Sequence, residues 1–339
     1  MSTGPEPPAA FGTAFANTMV SVDFENGQWG TPDLTPVESL SLHPGSHALH
    51  YGSACFEGLK AHQGVDGKVR VFRMDRNVER MQRSAQVLHL PVPESGLLTG
   101  MIRGVVAANL EEVPKAPGSL YIRPTLIGTE VNIGAAAAPT QSALLYVICC
   151  PVGGYFAGGV RPLRIAVEVD QPRTTPQFGM VKSGANYAMA LGVIMGAREE
   201  LGVDQVLFVP GGVVQETGAT NFLLIDSHRI ITPALTESFL HGVTRDSLLR
   251  IGMDLGYEIE ERELTLDEIL DWASRPDAEC ALSGTAAVLA PVGTLVHKGE
   301  DLPVGSGQPG PNTLRLRTAL TDLQTAEAPD PYGWLTEIV

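Results

Sequence analysis

A glycine-rich stretch near the middle of the chain limits what this sequence can fold into. Residues 151–159, PVGGYFAGG, contain four glycines in nine residues, and such a segment favours neither a helix nor a strand. The chain has 339 residues, and at about 150 residues per domain this length predicts two domains. We therefore expect a smaller N-terminal α/β domain over residues 1–150, an inter-domain loop over 151–160 and a larger C-terminal domain over 161–339.

The charge and the hydropathy pattern exclude several kinds of partner. The chain has 38 acidic and 23 basic side chains, a net charge of −15, which opposes binding to nucleic-acid phosphates and to anionic membrane surfaces. The longest strictly apolar run, residues 143–150, is much shorter than the ~20 residues of a membrane helix. The first ten residues are proline-rich and lack the basic residues of a signal peptide. We expect a cytoplasmic protein that binds neither nucleic acid nor membrane.

The cysteines and histidines indicate no metal site. The four cysteines, at positions 55, 149, 150 and 280, form no CxxC pair and no metal-ligand spacing. Cys149 and Cys150 lie in a predicted strand, where successive side chains point to opposite faces. The histidines at positions 43, 47 and 50 have helical spacing, but Pro44–Gly45 interrupts any helix there. We expect reduced structural thiols and no bound metal.

Local patterns predict strands and helices without a regular alternation of the two. Strands are predicted over 19–24, 69–72, 121–128, 144–150, 163–169, 205–209, 213–216, 222–225, 259–263, 280–282 and 288–292. Helices are predicted over 75–88, 97–110, 185–201 and 244–255. Thr244 is the predicted N-cap of the last of these, and Thr265 with Glu268 predicts a capping box that opens a further helix. We expect the strands over 205–209, 213–216 and 222–225 to form a meander, and the whole to be an α+β protein.

One of the five lysines has unusual surroundings. Lys182 lies in FGMVKSGANYAMALG, between a loop that contains proline and a predicted helix, among small residues. The positive end of the helix dipole and partial burial both disfavour the charged ammonium group. The neutral amine is the nucleophile that Schiff-base chemistry requires. A lysine at a helix start is more often a solvated surface charge, so this pattern by itself leaves both interpretations open.

Nine segments that occur in order along the chain carry a family resemblance. They are LHYGSACFEGLKA (49–61), VFRMDRNVERMQRSAQVLHLP (71–91), YIRPTLIGTE (121–130), CPVGGYFAGG (150–159), VKSGANYAMAL (181–191), DQVLF (204–208), QETGATNF (215–222), LHGVTRDSLL (240–249) and LSGTAAVLAPVG (282–293). Together they resemble the branched-chain amino-acid aminotransferases, which are fold-type IV (class IV) pyridoxal-phosphate enzymes. The resemblance implies two α/β domains, a homodimer, pyridoxal 5'-phosphate as the cofactor and an active site at the domain interface.

The resemblance also implies which residues bind the cofactor. Lys182 matches the family's Schiff-base lysine, which then acts as the base that moves the Cα proton. Tyr187 matches the tyrosine that hydrogen-bonds the phenolic oxygen of the cofactor, and Glu216 matches the carboxylate that faces the pyridine nitrogen. The residues that match the phosphate ligands are Arg73, Val243, Thr244 and Thr285.

The substrate-binding residues follow from the same resemblance. Those implied to bind the substrate carboxylates are Thr285, Ala286, Tyr121 and Arg123. Those implied to line a mostly apolar side-chain pocket are Tyr51, Phe56 and Tyr155. We therefore expect an enzyme that transfers the amino group of L-leucine, L-isoleucine or L-valine to 2-oxoglutarate, forming glutamate by a ping-pong mechanism.

Other functions are possible on the same fold. The chain has Ala185 where the family usually has the second glycine of K-x-G-G-N-Y, and it has Ala219–Thr220 within the usual G-T-M-N segment. The enzyme alternatives are a D-amino-acid transaminase, an (R)-amine transaminase or an aminodeoxychorismate lyase. The block FGTAFANTMV and the full-length match favour the branched-chain group instead. A non-catalytic binding protein is a third alternative, which is opposed by the joint presence of Lys182, Tyr187, Glu216 and Arg73.

Overall fold

The computed structural model describes residues 11–134, 136–154 and 159–338. Contacts between residues divide the chain into two compact units. The first comprises Met1–Ala157, Lys182–Gly184 and Leu323–Val339, and the second comprises Gly158–Val181 and Ala185–Asp322. The predicted domain limits, 1–150 and 161–339, are not tested by this division and remain a prediction.

In the described part of the chain, the first unit is a nine-stranded antiparallel sheet with helices. Its elements are β1 (Thr18–Glu25), β2 (Gln28–Trp29), β3 (Asp33–Pro36), α1 (His47–Tyr51), β4 (Ala54–Phe56), β5 (Leu59–Gln63), β6 (Val69–Phe72), α2 (Met74–Val87), α3 (Ser95–Ala108), a 3-10 helix (Leu110–Glu112), β7 (Ser119–Gly128), β8 (Ala143–Val152) and, near the C-terminal end, β17 (Leu335–Ile338). The strand order is β17–β6–β5–β7–β8–β1–β2, with β3 added to β1 and β4 added to β7.

One face of this sheet lies in a hydrophobic core. In β8 the alternate residues 143, 145, 147 and 149 belong to this core, as the period of a strand requires. Helices α2 and α3 add apolar residues spaced three and four apart, namely Val78, Met81 and Ala85 from α2 and Leu98, Met101, Ile102 and Val105 from α3. Cys150 packs instead with Tyr121 and Val152. The predicted opposite orientations of Cys149 and Cys150 are therefore confirmed.

The second unit has a mixed sheet in the part that the structure describes. Its elements are β9 (Leu163–Glu168), α4 (Gly184–Leu201), β10 (Gln205–Phe208), a 3-10 helix (Pro210–Gly212), β11 (Asn221–Ile225), β12 (Arg229–Thr232), α5 (Val243–Asp254), β13 (Glu258–Glu261), α6 (Leu266–Ala273), β14 (Glu279–Gly284), β15 (Val288–His297), β16 (Glu300–Pro303) and α7 (Pro311–Gln324). The strand order is β10–β9–β15–β14–β11–β12–β13, with β16 paired to β15. Parallel pairs (β10–β9, β9–β15 and β12–β13) occur beside antiparallel ones, as an α+β fold allows.

Strand pairing in the second unit differs from one sequence prediction. Residues 213–216 are not a strand, and Val213 forms only an isolated bridge with Thr265. Strand β10 pairs in parallel with β9, and β11 pairs with β12 and β14. The predicted meander is therefore wrong, because residues 213–216 form no strand and the distant strands β9 and β14 pair with β10 and β11.

Two predicted helix starts have different outcomes. Helix α5 begins at Val243 with Gly242 as its N-cap, so the predicted N-cap at Thr244 is wrong and Thr244 is the second helical residue. A side chain at Gly242 would collide with the amide oxygen of Asn221, which explains why a glycine occupies the cap position. Thr265 is the N-cap of α6, as predicted, because its Oγ1 accepts the N–H of Glu268 at 3.3 Å.

The described residues contain neither a candidate membrane helix nor a candidate metal cluster. Within them, no helix is long and apolar enough to cross a membrane. Residues 11–134, 136–154 and 159–338 also contain no group of three or more His, Cys, Asp or Glu side chains that could hold a metal ion.

Candidate active site

The predicted site residues fall into two groups, one in each compact unit. Those in the first unit are Tyr51, Phe56, Arg73, Tyr121, Arg123 and Lys182. Those in the second unit are Tyr187, Glu216, Val243, Thr244, Thr285 and Ala286. Tyr155, predicted for the substrate pocket, lies outside the described residues.

Lys182 is held through its main chain. Its N–H donates to Ser84 Oγ of α2 at 3.0 Å, and its carbonyl accepts the N–H of Phe56 in β4 at 3.0 Å. Helix α2 and β4 are tied to each other by an ion pair, because Arg80 Nε lies 2.7 Å from Oε1 of Glu57, the residue after Phe56. The Lys182 ammonium nitrogen lies 5.1 Å from the centroid of the Phe56 ring. The backbone of Lys182 is therefore fixed, and an aromatic ring lies beside its side-chain nitrogen.

The loop that precedes Lys182 is closed by a side chain that the sequence reasoning missed. Asn186, in the first turn of α4, is fully buried, and its Nδ2 donates to the carbonyls of Phe178 (2.9 Å) and Val181 (2.7 Å). Its Oδ1 accepts the hydroxyl hydrogen of Thr174 at 2.7 Å. Every polar group of this amide thus braces the segment that ends immediately before Lys182.

Three of the predicted substrate residues line one cavity of the first unit. Phe56, Tyr121 and Arg123 face a space of about 380 Å³. Arg123 Nη2 donates to the Tyr121 hydroxyl at 2.8 Å, and the guanidinium carbon lies 4.6 Å from the centroid of the Phe56 ring. Gly58 makes room for this arrangement, because a Cβ there would collide with the Tyr121 hydroxyl. The cavity therefore combines apolar walls with one cation.

Sequence reasoning did not identify the rest of this cavity. Its other lining residues are Phe11, Gly12, Phe15, Thr125, Tyr146, Ile148 and Cys150. Burial raises the pKa of the Cys150 thiol, and the nearby Arg123 only partly offsets that effect. Cys150 is therefore a neutral thiol at pH 7. Tyr51 is not among the lining residues, and its hydroxyl donates to the carbonyl of Ile133.

Arg73 stands between β6 and α2. It is the N-cap of α2, its φ of 49° lies in the left-handed region, and it is buried. Its N–H donates to the carbonyl of Trp334 at 2.8 Å, and its guanidinium carbon lies 4.5 Å from the centroid of the Trp334 ring.

Glu216 is the centre of a buried polar network in the second unit. The residue is 1% exposed, and its Oε1 lies 2.7 Å from Arg173 Nη1 and accepts the N–H of Leu240 at 2.9 Å. Its Oε2 accepts from Asn221 Nδ2 at 3.1 Å. Ion pairing and these hydrogen bonds all favour the charged carboxylate. Arg173, which the sequence reasoning missed, also lies 5.7 Å from the Tyr187 ring centroid and so connects two of the predicted site residues.

The segment before α5 brings two more predicted residues close to this network. Leu240 donates to Glu216, and its carbonyl accepts from the Asn221 amide at 2.8 Å. Val243 and Thr244 follow as the first two residues of α5. The first N–H groups of a helix lack carbonyl partners within the helix and attract anions. The start of α5 is therefore suited to bind a phosphate.

Thr285 and Ala286 lie in the turn between β14 and β15, and both are half-buried. Strand β14 pairs with β11, and this pairing places Ser283 opposite Asn221. The turn therefore follows a strand that borders the Glu216 network.

Comparison with known proteins identifies the family. The sequence profile of the family described as Amino-transferase class IV matches residues 54–295, which is more than two thirds of the chain. This chain belongs to the class IV aminotransferases. The family resemblance inferred from the nine motifs is confirmed.

Curated class IV relatives match almost the whole chain. A probable branched-chain-amino-acid aminotransferase of Streptomyces coelicolor is 38% identical, over 96% of this chain and 91% of the relative. The branched-chain-amino-acid transaminase 1 of Bacillus subtilis is 36% identical, over 98% of this chain and 96% of the relative.

Solved structures agree with these sequence relatives. The Escherichia coli branched-chain amino acid aminotransferase has a TM-score of 0.78 at 28% identity, covering 96% of this chain and all of that one. The branched-chain aminotransferase of the thermophilic archaeon Thermoproteus uzoniensis, solved with norvaline, has a TM-score of 0.76 at 25% identity, covering 95% of this chain and all of that one. The predicted α+β, fold-type IV architecture is confirmed.

Proposed function

We propose that this class IV aminotransferase is an L-branched-chain amino-acid aminotransferase with pyridoxal 5'-phosphate as its cofactor. It would transfer the amino group of L-leucine, L-isoleucine or L-valine to 2-oxoglutarate. The observation that carries the proposal is the buried, ion-paired carboxylate of Glu216 in the same chain as the braced Lys182. The names of the curated relatives support the choice of substrate.

The residues present suit this cofactor chemically. The pyridine nitrogen needs an anion beside it, and Glu216 is a carboxylate kept charged by Arg173. The phosphate needs hydrogen-bond donors, which Arg73, the first N–H groups of α5 and the hydroxyl of Thr285 supply. The aldehyde needs a primary amine, which Lys182 supplies. When bound, pyridoxal phosphate supplies that aldehyde and a conjugated ring that takes up the electron pair left when a Cα proton departs.

The side chains of this chain divide the work between them. The amine of Lys182 would accept the proton from the substrate's Cα and deliver it to the carbon that comes from the cofactor's aldehyde, and its braced backbone limits the positions that the nitrogen can take. The hydroxyl of Tyr187 would donate a hydrogen bond to the phenolic oxygen. The Glu216 carboxylate would accept a hydrogen bond from the protonated pyridine nitrogen of the cofactor.

The cavity that contains Arg123 supports a dual substrate range. Its aromatic and aliphatic walls suit the side chain of leucine, isoleucine or valine. The Arg123 guanidinium, hydrogen-bonded to Tyr121, suits the second carboxylate of glutamate or 2-oxoglutarate. One space can then accept both kinds of substrate in turn, as a ping-pong mechanism requires.

The first prediction concerns Lys182. Borohydride treatment of the protein with pyridoxal phosphate should attach the coenzyme to the peptide that contains Lys182, as read by mass spectrometry. Lys182→Ala should lose turnover of L-leucine by several orders of magnitude, because no other amine takes over the proton transfer. Lys115→Ala, a change at an exposed lysine, should keep the activity. An adduct on another lysine, or sustained turnover by Lys182→Ala, would refute the proposal.

A donor screen separates the branched-chain assignment from the alternatives. L-Leucine should be a far better amino donor than D-alanine or (R)-1-phenylethylamine. A preference for either of these would favour a D-amino-acid or (R)-amine transaminase. A protein that binds pyridoxal phosphate but accepts no donor would favour a non-catalytic role.

We further propose a cytoplasmic homodimer. Helix α4 has three large apolar side chains on its exposed surface, with Met189 53%, Leu191 56% and Met195 41% exposed. Exposed apolar side chains of this kind support association with another protein chain, because contact with a partner removes apolar surface from water. All four cysteines are free and buried, which supports a reducing compartment.

A further inference from the structure

The C-terminal strand lies directly beside Arg73. Strand β17 pairs antiparallel with β6, so that Leu335 lies opposite Phe72, the residue before Arg73. The N–H of Arg73 donates to the carbonyl of Trp334 at 2.8 Å. The main chain of Arg73 is therefore fixed by residues more than 250 positions away in the sequence.

The ring of Trp334 is itself held in place by its neighbours. The Tyr332 ring stacks on it at 4.0 Å between centroids and 26° between planes. The Phe72 ring meets it edge-on at 5.8 Å and 88°. The carboxylate of Asp330 accepts the N–H groups of Tyr332 (3.1 Å) and Leu335 (2.8 Å), which fixes the chain around Trp334. The indole is consequently a rigid surface.

The guanidinium of Arg73 lies over this surface. Its central carbon is 4.5 Å from the centroid of the Trp334 ring, a distance typical of a cation–π contact. Such a contact uses the flat face of the guanidinium, whereas the N–H groups that bind a phosphate point outward from its edge. Arg73 can therefore contact the indole and bind a phosphate at the same time. The contact with the indole restricts the rotamers of the Arg73 side chain, so phosphate binding costs less conformational entropy.

We propose that Trp334 is a positioning residue for the cofactor phosphate. Its ring holds the Arg73 guanidinium in a single orientation, and the strand that carries it becomes part of the cofactor-binding apparatus. The inference rests on the proposed function, which assigns the phosphate to Arg73.

The experiment compares two ligands that differ only in the phosphate. The full chain without cofactor is titrated with pyridoxal 5'-phosphate and with pyridoxal, and the ratio of the two dissociation constants is the readout. In Trp334→Leu the affinity for pyridoxal 5'-phosphate should fall about tenfold, a loss in the range of a partly desolvated cation–π contact, while the affinity for pyridoxal stays unchanged. Trp334→Phe keeps an aromatic face and should recover most of the loss.

Trp29→Leu is the matched control. It also removes a half-buried indole from the first unit, but Trp29 packs against Phe24 at 5.2 Å and not against an arginine of the site. Its ratio of dissociation constants should equal that of the unchanged protein. An equal loss of affinity for both ligands in Trp334→Leu, or no loss, would overturn the inference.

A second measurement covers the case in which Trp334→Leu does not fold. 5-Fluorotryptophan at all three tryptophans keeps the ring shape but withdraws electron density from the face. The labelled protein should bind pyridoxal 5'-phosphate more weakly than the unlabelled one, whereas labelling Trp334→Phe should change nothing. An unchanged affinity in the labelled protein would also overturn the inference. If the unchanged protein binds no pyridoxal 5'-phosphate at all, the proposed function itself fails.

Discussion

The pair of Arg173 and Glu216 shows how one residue sets the state of another. Both side chains are about 2% exposed, and their charged groups lie 2.7 Å apart. Two buried charges at this distance hold each other in the ionised form, but removal of one leaves the other without compensation. The carboxylate proposed to face the pyridine nitrogen thus depends on an arginine 43 positions earlier in the chain.

Replacing one partner of this pair should cost more than replacing both. Arg173→Met leaves the Glu216 carboxylate buried without its cation, and should lower the free energy of unfolding by about 3–5 kcal/mol. The double change Arg173→Met with Glu216→Gln should regain part of that loss, since no buried charge remains. Urea unfolding of the two variants measures the difference. Equal stabilities would show that the pair is not coupled.

Residues of the site differ in how far the sequence could reveal them. Lys182, Glu216 and Arg73 lie in family motifs, so the resemblance singled them out. Arg173 lies in RTTPQFGM, where nothing local distinguishes it from a surface arginine. Asn186 is the asparagine of the K-x-G-G-N-Y motif, so the resemblance could have singled it out, and its partners are near in sequence. Trp334 acts through a contact with the Arg73 guanidinium that only the folded chain brings near. Long-range contacts of this kind leave no periodic pattern.

At the scale of elements, the capping signal at Thr265 was reliable, whereas the N-cap predicted at Thr244 and the strand pairing were not. Thr265 caps α6 because its partner, Glu268, is three residues away. The pairing of β10 with β9 depends instead on segments about 40 residues apart, and the meander prediction failed there. Strand β17 has only four residues and no clear alternation of buried and exposed side chains. The position of β17 is set by its pairing with β6, and a search for local sequence patterns cannot identify this pairing.

Helix α4 gives an element-scale prediction. If its exposed apolar residues contact a second copy of the chain, Leu191→Glu should convert the dimer to a monomer by burying a charge in the contact. Light scattering should then give the 36.0 kDa of one chain instead of twice that mass. Leu235→Glu, at another exposed leucine, is the control and should leave the dimer intact. A dimer that survives Leu191→Glu would place the interface elsewhere.

The acid stability of the whole molecule should depend on His62. This residue of β5 is 7% exposed, and burial, together with the charge of Lys60, lowers its pKa to about 3. In the unfolded chain the pKa returns to about 6.5, so between pH 6.5 and 3 the unfolded state binds a proton that the folded state does not. The free energy of unfolding should therefore fall as the pH falls, by up to about 1.4 kcal/mol per pH unit.

Two variants test this pH dependence. His62→Gln should show a shallower loss of stability between pH 6.5 and pH 4 than the unchanged protein, measured by urea unfolding at each pH. His228→Gln, which changes an exposed histidine, should retain the steeper slope. Parallel slopes for His62→Gln and the unchanged protein would contradict the assignment to His62.

The antiparallel pairing of residues 335–338 with residues 69–72 has a consequence for synthesis on the ribosome. The first sheet cannot gain its edge strand β17 while residues 335–338 are still inside the exit tunnel, although its other strands have emerged before. A nascent chain that stops early would thus leave Arg73 without its aromatic neighbour. If Trp334 positions Arg73 as proposed, tight binding of the coenzyme is acquired only once residue 334 has left the tunnel, and a chain that lacks this residue binds the coenzyme more weakly.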